Sequence, residues 1–425
     1  MDNERYYNEG TGEAEAPYRD RAEEMGLYDD YTGRNKKKRR QDKHTKKGKN
    51  GGKNGNGGKK KSKGKTVLIV LLAFLVIAGC CFILLQGYIK DKLSKADHVA
   101  VSAEEWGIDP EVAKDLEGYK NLVLLGIDTR ENSGEDPEHC RSDAIIIVTI
   151  NKETKDVELT SVLRDSYLDL EEEGWHNVDK VTHAHAYGGP TNAVRALNRN
   201  MDLNIDDFIR VDWRAVKEVT DAMGGLEIDV DESVVNELNR IIIHTAKSLK
   251  EDDYKLVEHG GLQTLDGIQV TAYCRIRKTD GDVERSGRMR EVILAAIEKA
   301  KKMRLSELNH VIDVGMSHIT TSMDSKTMLD MLMDLTSYNI GDNNAWPYEY
   351  AGAMLGGVSY DVPVTLKSQV IALHEKLFGQ ENYEPTEGVQ AINERVKYES
   401  NYYGGEELNY ELLDRYNVLF GNYSE

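Results

Sequence analysis

NLVLLGIDTR (121–130), CRSDAIIIVTIN (140–151) and DVELTSVLRD (156–165) decide how this chain folds. Three runs rich in Val, Ile and Leu follow one another, separated by polar turns. Each is too short for a core helix and too continuously apolar for a strand with one wet face, which predicts strands covered on both sides. Helical patterns alternate with them further on: TNAVRALNRN (191–200), WRAVKEVTDAMGG (213–225) closed by Gly224 and Gly225, TLDGIQVTAYCRIR (264–277) and SGRMREVILAAIEKAKKM (286–303). This alternation predicts a layered α/β domain.

Upstream, an uncharged apolar run from Thr66 to Ile89 meets the length of about 20 residues that a bilayer core demands of a helix. It begins too far from the amino terminus for a cleaved secretory signal and predicts a retained anchor, a single transmembrane helix at 66–89. Residues 34–65 hold 16 Lys and Arg against one acid, Asp42. The positive-inside rule then predicts a cytoplasmic amino terminus and an extracytoplasmic remainder in a cell membrane of Gram-positive type. Residues 1–33 are acidic, carry five tyrosines and few aliphatic residues, and with the Gly- and Lys-rich stretch behind them predict a disordered tail over 1–65. Residues 90–118 read as a stalk, and the acidic, aromatic stretch 381–425 shows no pattern that suggests a role.

The chain carries a net charge of −19, in which residues 1–33 contribute −7, residues 34–65 contribute +15 and the remainder −27. A domain so acidic does not bind nucleic acid over a broad face, and it holds an anion only through a local group of arginines. Two cysteines, Cys80 and Cys81, lie in the apolar run, while Cys140 and Cys274 lie beyond it, where a disulfide is permitted and two buried thiols are equally so.

Charges stand at the ends of the apolar strands. Asp128 and Arg130 follow the first, Arg141 and Asp143 open the second, and Arg164 and Asp165 close the third. If the first two strands pair antiparallel, Asp128 and Asp143 meet at one sheet edge, where paired carboxylates suit a hard cation such as Mg²⁺ that also takes phosphate oxygens. Either aspartate alone would more simply cap a turn or pair with an arginine. A second group follows about 130 residues later: Arg275 and Arg277, then Asp282, Arg285 and Arg288. Several guanidinium groups in an acidic domain point to a doubly charged phosphate ligand, with Arg285 and Arg288 on one face of a helix start. No GxSxG, HExxH, P-loop or CxxC pattern occurs, and His183 and His185 in DKVTHAHAYGG remain without a role.

Together NLVLLGIDTR, CRSDAIIIVTIN, LTSVLRDSYLDL, VDKVTHAHAYGGP, DAMGGLEIDV, LDGIQVTAYCRIR and GDVERSGRMREVI resemble, in order, the LytR–CpsA–Psr family of Gram-positive cell-wall glycopolymer ligases. The resemblance implies a mixed central sheet flanked by helices over 119–380, with a groove for a polyprenyl chain. It implies transfer of a glycopolymer of teichoic acid or capsular type from undecaprenyl pyrophosphate to a peptidoglycan hydroxyl, at the membrane lipid surface and without nucleic acid. Asp128 and Asp143 would hold Mg²⁺, or Mn²⁺ in its place. Arg141, Arg164, Arg275, Arg277 and Arg285 would grip the pyrophosphate, with Asp282 and Arg288 in support. Leu163, Glu284 and Met289 depart from the family's frequent proline, glycine and glutamine. Because Cys140 precedes Arg141 and Cys274 precedes Arg275, arginines that converge on one phosphate would bring these cysteines near enough for a disulfide. A lipid-pyrophosphate hydrolase or a membrane-bound regulator is the alternative.

Overall fold

A computed structural model describes residues 87–88, 91–127, 136–172, 175–277 and 281–420. Strand β1 (Asp97–His98) and helix α1 (Pro110–Asp115) lead into β2 (Tyr119–Ile127), β3 (Ser142–Asn151) and β4 (Asp156–Val162). A hairpin of β5 (Tyr167–Glu172) and β6 (Trp175–Lys180) precedes α2 (Thr182–Met201), β7 (Ile205–Asp212) and α3 (Trp213–Ala222). Then come β8 (Leu226–Val230), α4 (Val235–Leu249), β9 (Gly261–Leu265), α5 (Gly267–Tyr273), α6 (Gly281–Lys302) and α7 (Leu305–Met316). The chain continues through β10 (Ile319–Thr321), α8 (Ser325–Asp334), β11 (Asn339–Trp346), β12 (Tyr350–Leu355) and β13 (Val358–Pro363) to α9 (Leu366–Phe378), α10 (Glu387–Ser400) and α11 (Tyr410–Phe420).

Seven strands form one mixed sheet in the order β1-β10-β7-β2-β3-β4-β11. The three runs that opened the sequence reading are β2, β3 and β4, antiparallel neighbours near its centre. Their unbroken apolar character has a direct cause. Val123, Leu125, Ile145 and Ile147 point into one core, packed with Val194 and Leu197 of α2, Leu373 of α9 and Ile392 of α10. Leu122, Ile146, Val148 and Leu159 point into the other, with Leu238 and Ile242 of α4, Val270 of α5 and Met289 and Val292 of α6. Alternate residues therefore serve opposite cores, each fully buried Leu or Ile contributing roughly 1.5–3 kcal/mol.

The first core continues into the stretch set apart at 381–425, since Val389, Ala391, Ile392 and Val396 of α10 belong to it. Helix α11 joins through Tyr416, whose hydroxyl donates to Asp169 Oδ1 at 2.5 Å. Asp169 is wholly buried and also accepts Arg199 Nη2 at 2.8 Å. Apart from residues 87 and 88, the predicted transmembrane run lies outside the described residues, as do residues 1–65; among the described residues no helix is long and apolar enough to cross a membrane.

Removing one donor from a buried carboxylate leaves part of its desolvation uncompensated. Tyr416→Phe is expected to cost about 1–3 kcal/mol, read as a lower urea midpoint at unchanged slope.

Candidate active site

The site grows out of an irregularity between β2 and β3. Gly126 pairs with Ala144 and Ile127 with Ser142, which leaves Asp143 as the extra residue of a β-bulge. A Cβ on Gly126 would stand 2.8 Å from the Cβ of Ala144, so glycine is what lets the strands close beside the bulge. The bulge aims Asp143 at three arginines. Its Oδ1 accepts Arg164 Nη1 at 2.8 Å, its Oδ2 accepts Arg277 Nη2 at 2.6 Å, and its carbonyl accepts Arg285 Nη2 at 3.0 Å. Asp282, in the first turn of α6, accepts Arg285 Nη2 at 2.8 Å and lies 3.6 Å from Arg164 Nε.

Burial by itself would raise the Asp143 carboxyl, but Arg277, Arg164 and Arg285 outweigh it and hold the group below the usual carboxylate range. Burial, only partly offset by Asp282, together with repulsion from Arg277 and Arg164, brings Arg285 down to about 10. Arg164, Arg275, Arg277 and Arg285, with Lys180, stand among three carboxylates, Asp143, Asp282 and Asp165. The excess is positive, inside a domain that is otherwise acidic, and it is an excess that a phosphate satisfies.

Beside this group lies a cavity of about 140 Å³ lined by Asp143, Trp213, Ile241, His244, Cys274, Arg275, Arg277, Arg285 and Met289. Its polar residues gather with the arginines, while Trp213, Ile241 and Met289 make an apolar wall. Arg275 donates to Thr245 Oγ1 at 2.9 Å and lies over the Trp213 ring at 5.6 Å. Arg288 is buried and donates to the Ile276 carbonyl at 2.9 Å, tying α6 to the segment that carries Arg275 and Arg277. Glu284 is exposed.

Arg164, Arg277, Arg285, Asp143 and Asp282 are thus brought together, Arg275 lines the same cavity, and Arg288 braces it. Asp128 lies outside the described residues. Arg141 is exposed and, among the described residues, makes no ion pair. The expected Cys140–Cys274 disulfide is corrected: both cysteines are buried thiols in no disulfide. Cys140 turns its Sγ to the Pro137 carbonyl at 3.2 Å and its own carbonyl to His185 of α2, on the first-core side. Cys274 sits in the second core, where burial pushes its thiol up to about 12. The expectation rested on Arg141 and Arg275 meeting at one phosphate; Arg141 is exposed instead, and Cys140 precedes β3 in extended backbone while Cys274 caps helix α5 in the second core.

The sequence reading left the two histidines without roles, and the structure separates them. His185 is fully buried and burial takes it down to about 4, which makes it a neutral packing residue bonded to the Cys140 carbonyl. His183 is partly exposed, with Nδ1 2.7 Å from Asp179 Oδ2. Asp165, which binds Lys180 Nζ at 2.9 Å, and Asp361, whose N–H donates to the Asp165 carbonyl at 2.9 Å, complete the rim. Nothing near Asp361 in the sequence marks it.

Burial, together with Asp165 and Asp282, lifts the Asp361 carboxyl from 3.8 to about 6. Between those values the folded chain holds a proton that the unfolded chain has released, so this group's contribution to stability falls as pH rises through that window. Asp361→Asn is therefore expected to leave stability unchanged near pH 4 and to raise it at pH 7, by about 1 kcal/mol given the solvent screening of a half-buried group. Paired urea melts at the two pH values check this.

The model of the LytR_cpsA_psr family matches residues 85–375. The polyisoprenyl-teichoic acid–peptidoglycan teichoic acid transferase TagT of Bacillus subtilis is 30% identical over 291 residues, 66% of this chain and 85% of that one. A transferase of the same description, TagU of Oceanobacillus iheyensis, is 28% identical over 67% of this chain and 83% of its own. A solved structure of TagT bound to LI-WTA superposes with a TM-score of 0.51 at 25% identity, covering 66% of this chain and 98% of that one. A Streptococcus agalactiae protein shares the fold at a TM-score of 0.52 and 22% identity, over 64% of this chain and 91% of its own. With seven sequence segments in order, a mixed sheet covered on both faces and a match over most of the described residues, the chain belongs to the LytR–CpsA–Psr family.

Proposed function

We propose that this protein transfers a glycopolymer of teichoic acid or capsular type from undecaprenyl pyrophosphate to a hydroxyl of peptidoglycan. One observation carries the reading: three arginines from separate segments converge on a single carboxylate beside an apolar-walled cavity. The relatives' printed names, transferases that move teichoic acid from a polyisoprenyl carrier to peptidoglycan, support the same reaction. In it, the acceptor oxygen attacks the phosphorus that carries the glycan, the bond to the second phosphate breaks, and polyprenyl phosphate leaves with the electron pair. Arg164, Arg277 and Arg285 grip the pyrophosphate and meet the charge that gathers on its oxygens, so catalysis is positioning and electrostatics. Asp282 and Arg288 hold these arginines in place, and the apolar wall receives the lipid end.

Asp143, kept ionised at the mouth of the cavity, is the oxygen donor a hard cation uses, and with Asp128 it would hold Mg²⁺. When bound, the ion supplies further positive charge to the phosphate oxygens. The acidic and basic amino-terminal tail faces the cytoplasm, and residues 66–89 anchor the domain to the outer side of the cell membrane.

Reconstituted protein supplied with a polyprenyl-pyrophosphate saccharide and a peptidoglycan oligosaccharide is expected to yield the phosphodiester-linked adduct; release of the lipid by water alone would make it a hydrolase. Arg277→Lys replaces a two-pronged contact with a point charge and should weaken donor binding by about tenfold in calorimetry. Asp143→Ala should lower Mg²⁺-dependent turnover by about 10²-fold or more while the domain stays folded by circular dichroism.

A further inference from the structure

Transfer to a hydroxyl needs a group to take its proton, and none of the arginines can. Among the described residues around the site, His183 is a histidine held by a carboxylate. His183, in the first turn of α2, has its Nδ1 2.7 Å from Asp179 Oδ2 at the end of β6. Donation from Nδ1 fixes the ring tautomer and leaves Nε2 as a lone pair, the relation in which a carboxylate orients a general base. Asp179 is itself held: the Tyr187 hydroxyl donates to it at 2.6 Å and the Tyr360 hydroxyl at 3.3 Å. Burial would raise this carboxyl, but the bonds from His183, Tyr187 and the Lys180 N–H bring it down to about 2, so it stays ionised beside the imidazole.

Hydrogen bonds tie this pair to the arginine clamp. Thr182, next to His183, is buried and donates its N–H to the Arg164 carbonyl at 3.1 Å and its hydroxyl to the Ser142 carbonyl at 2.9 Å. The pair lies on the first-core side of the sheet, with Val181 and Ala184 in that core and Tyr187 and Tyr360 packed against it. The cavity's apolar wall, made by Trp213, Ile241 and Met289, lies on the second-core side. An in-line displacement places the attacking oxygen opposite the leaving one. A lipid phosphate departing toward the second core requires the acceptor to come from the first, where the imidazole stands.

We infer that His183 takes the proton from the acceptor hydroxyl as that hydroxyl attacks the glycan-bearing phosphorus. The inference rests on the transfer reaction proposed above. The oxygen–phosphorus bond forms, the bond to polyprenyl phosphate breaks, the proton passes to Nε2, and the imidazolium returns it to solvent. Asp179 is a positioning residue. Asp179 on β6 and Tyr187 on its own helix face the imidazole, and Tyr360 on β13 bonds the same Asp179; Lys180, Asp165 and Asp361 are joined to one another beside them. Glu138, His139 and Arg210 bear instead on His185, two residues along the helix.

The test uses the full chain in lipid vesicles, a polyprenyl-pyrophosphate disaccharide as donor and a peptidoglycan oligosaccharide as acceptor. Adduct formation is followed by mass spectrometry from about pH 5 to about pH 9, and donor affinity by calorimetry. His183→Gln should lower kcat by about 10²–10⁴-fold, keep the donor Kd within about twofold, and abolish the acid limb of the pH profile. Asp179→Asn should lower kcat less and shift that limb, and it serves as the readout should His183→Gln fail to fold. If His183→Gln retains wild-type kcat and limb, or if the limb disappears in Asp361→Asn instead, the proton goes elsewhere and the inference is overturned. A wild-type protein that forms no adduct overturns the transfer reading, and the inference with it.

Discussion

One ionised carboxylate organises this molecule's chemistry. Asp143 stands in a bulge where two central strands would otherwise run in register, and its two oxygens hold arginines from the end of β4 and from the segment before α6. Buried charges are tolerated only in such company, because each alone would face a desolvation cost of several kcal/mol. The arginines need the aspartate as much as it needs them. Neutralising it leaves Arg285 with Asp282, and Arg164 with Asp282 and Asp165 at the longer distances of 3.6 and 3.9 Å.

The sheet divides the labour. Because β2, β3 and β4 are apolar on both faces, each face carries its own helical cover, and the arginine group sits at the edge where the two cores meet. The cavity opens among α4 and α6 on one side, and the Asp179–His183 pair stands at the head of α2 on the other. In the transfer proposed above, a doubly covered sheet would give donor and acceptor separate approaches to one phosphorus.

The strands were legible because nothing but burial on both faces explains unbroken runs such as AIIIVTI. Asp143, Arg164, Asp282 and Arg285 were legible because charge at the tip of an apolar run needs a reason. The bulge was not, since pairing register is set between strands, and without it Arg141 and Asp143 look equally placed to face the phosphate. The expected disulfide failed with the same residue, since it required Arg141 to meet Arg275 and Arg141 is exposed. The spacing of Asp179 and His183 was visible, but Tyr360, which completes their surroundings, is 181 residues from Asp179. Asp361 carries no local signature at all, because its setting is made by Asp165 and Asp282 from other elements.

The contrast between one basic mouth and an acidic body bears on how a substrate arrives. Around an acidic domain an anionic polymer meets repulsion, which reaches about 10 Å at moderate ionic strength, whereas the arginine group attracts it. Such a field turns a long polyanion end-on, with its doubly charged head leading, before any contact forms. In the proposed reaction it also favours product release, since the transferred polymer keeps one phosphate, as a singly charged diester, and gives up part of the attraction while keeping the repulsion.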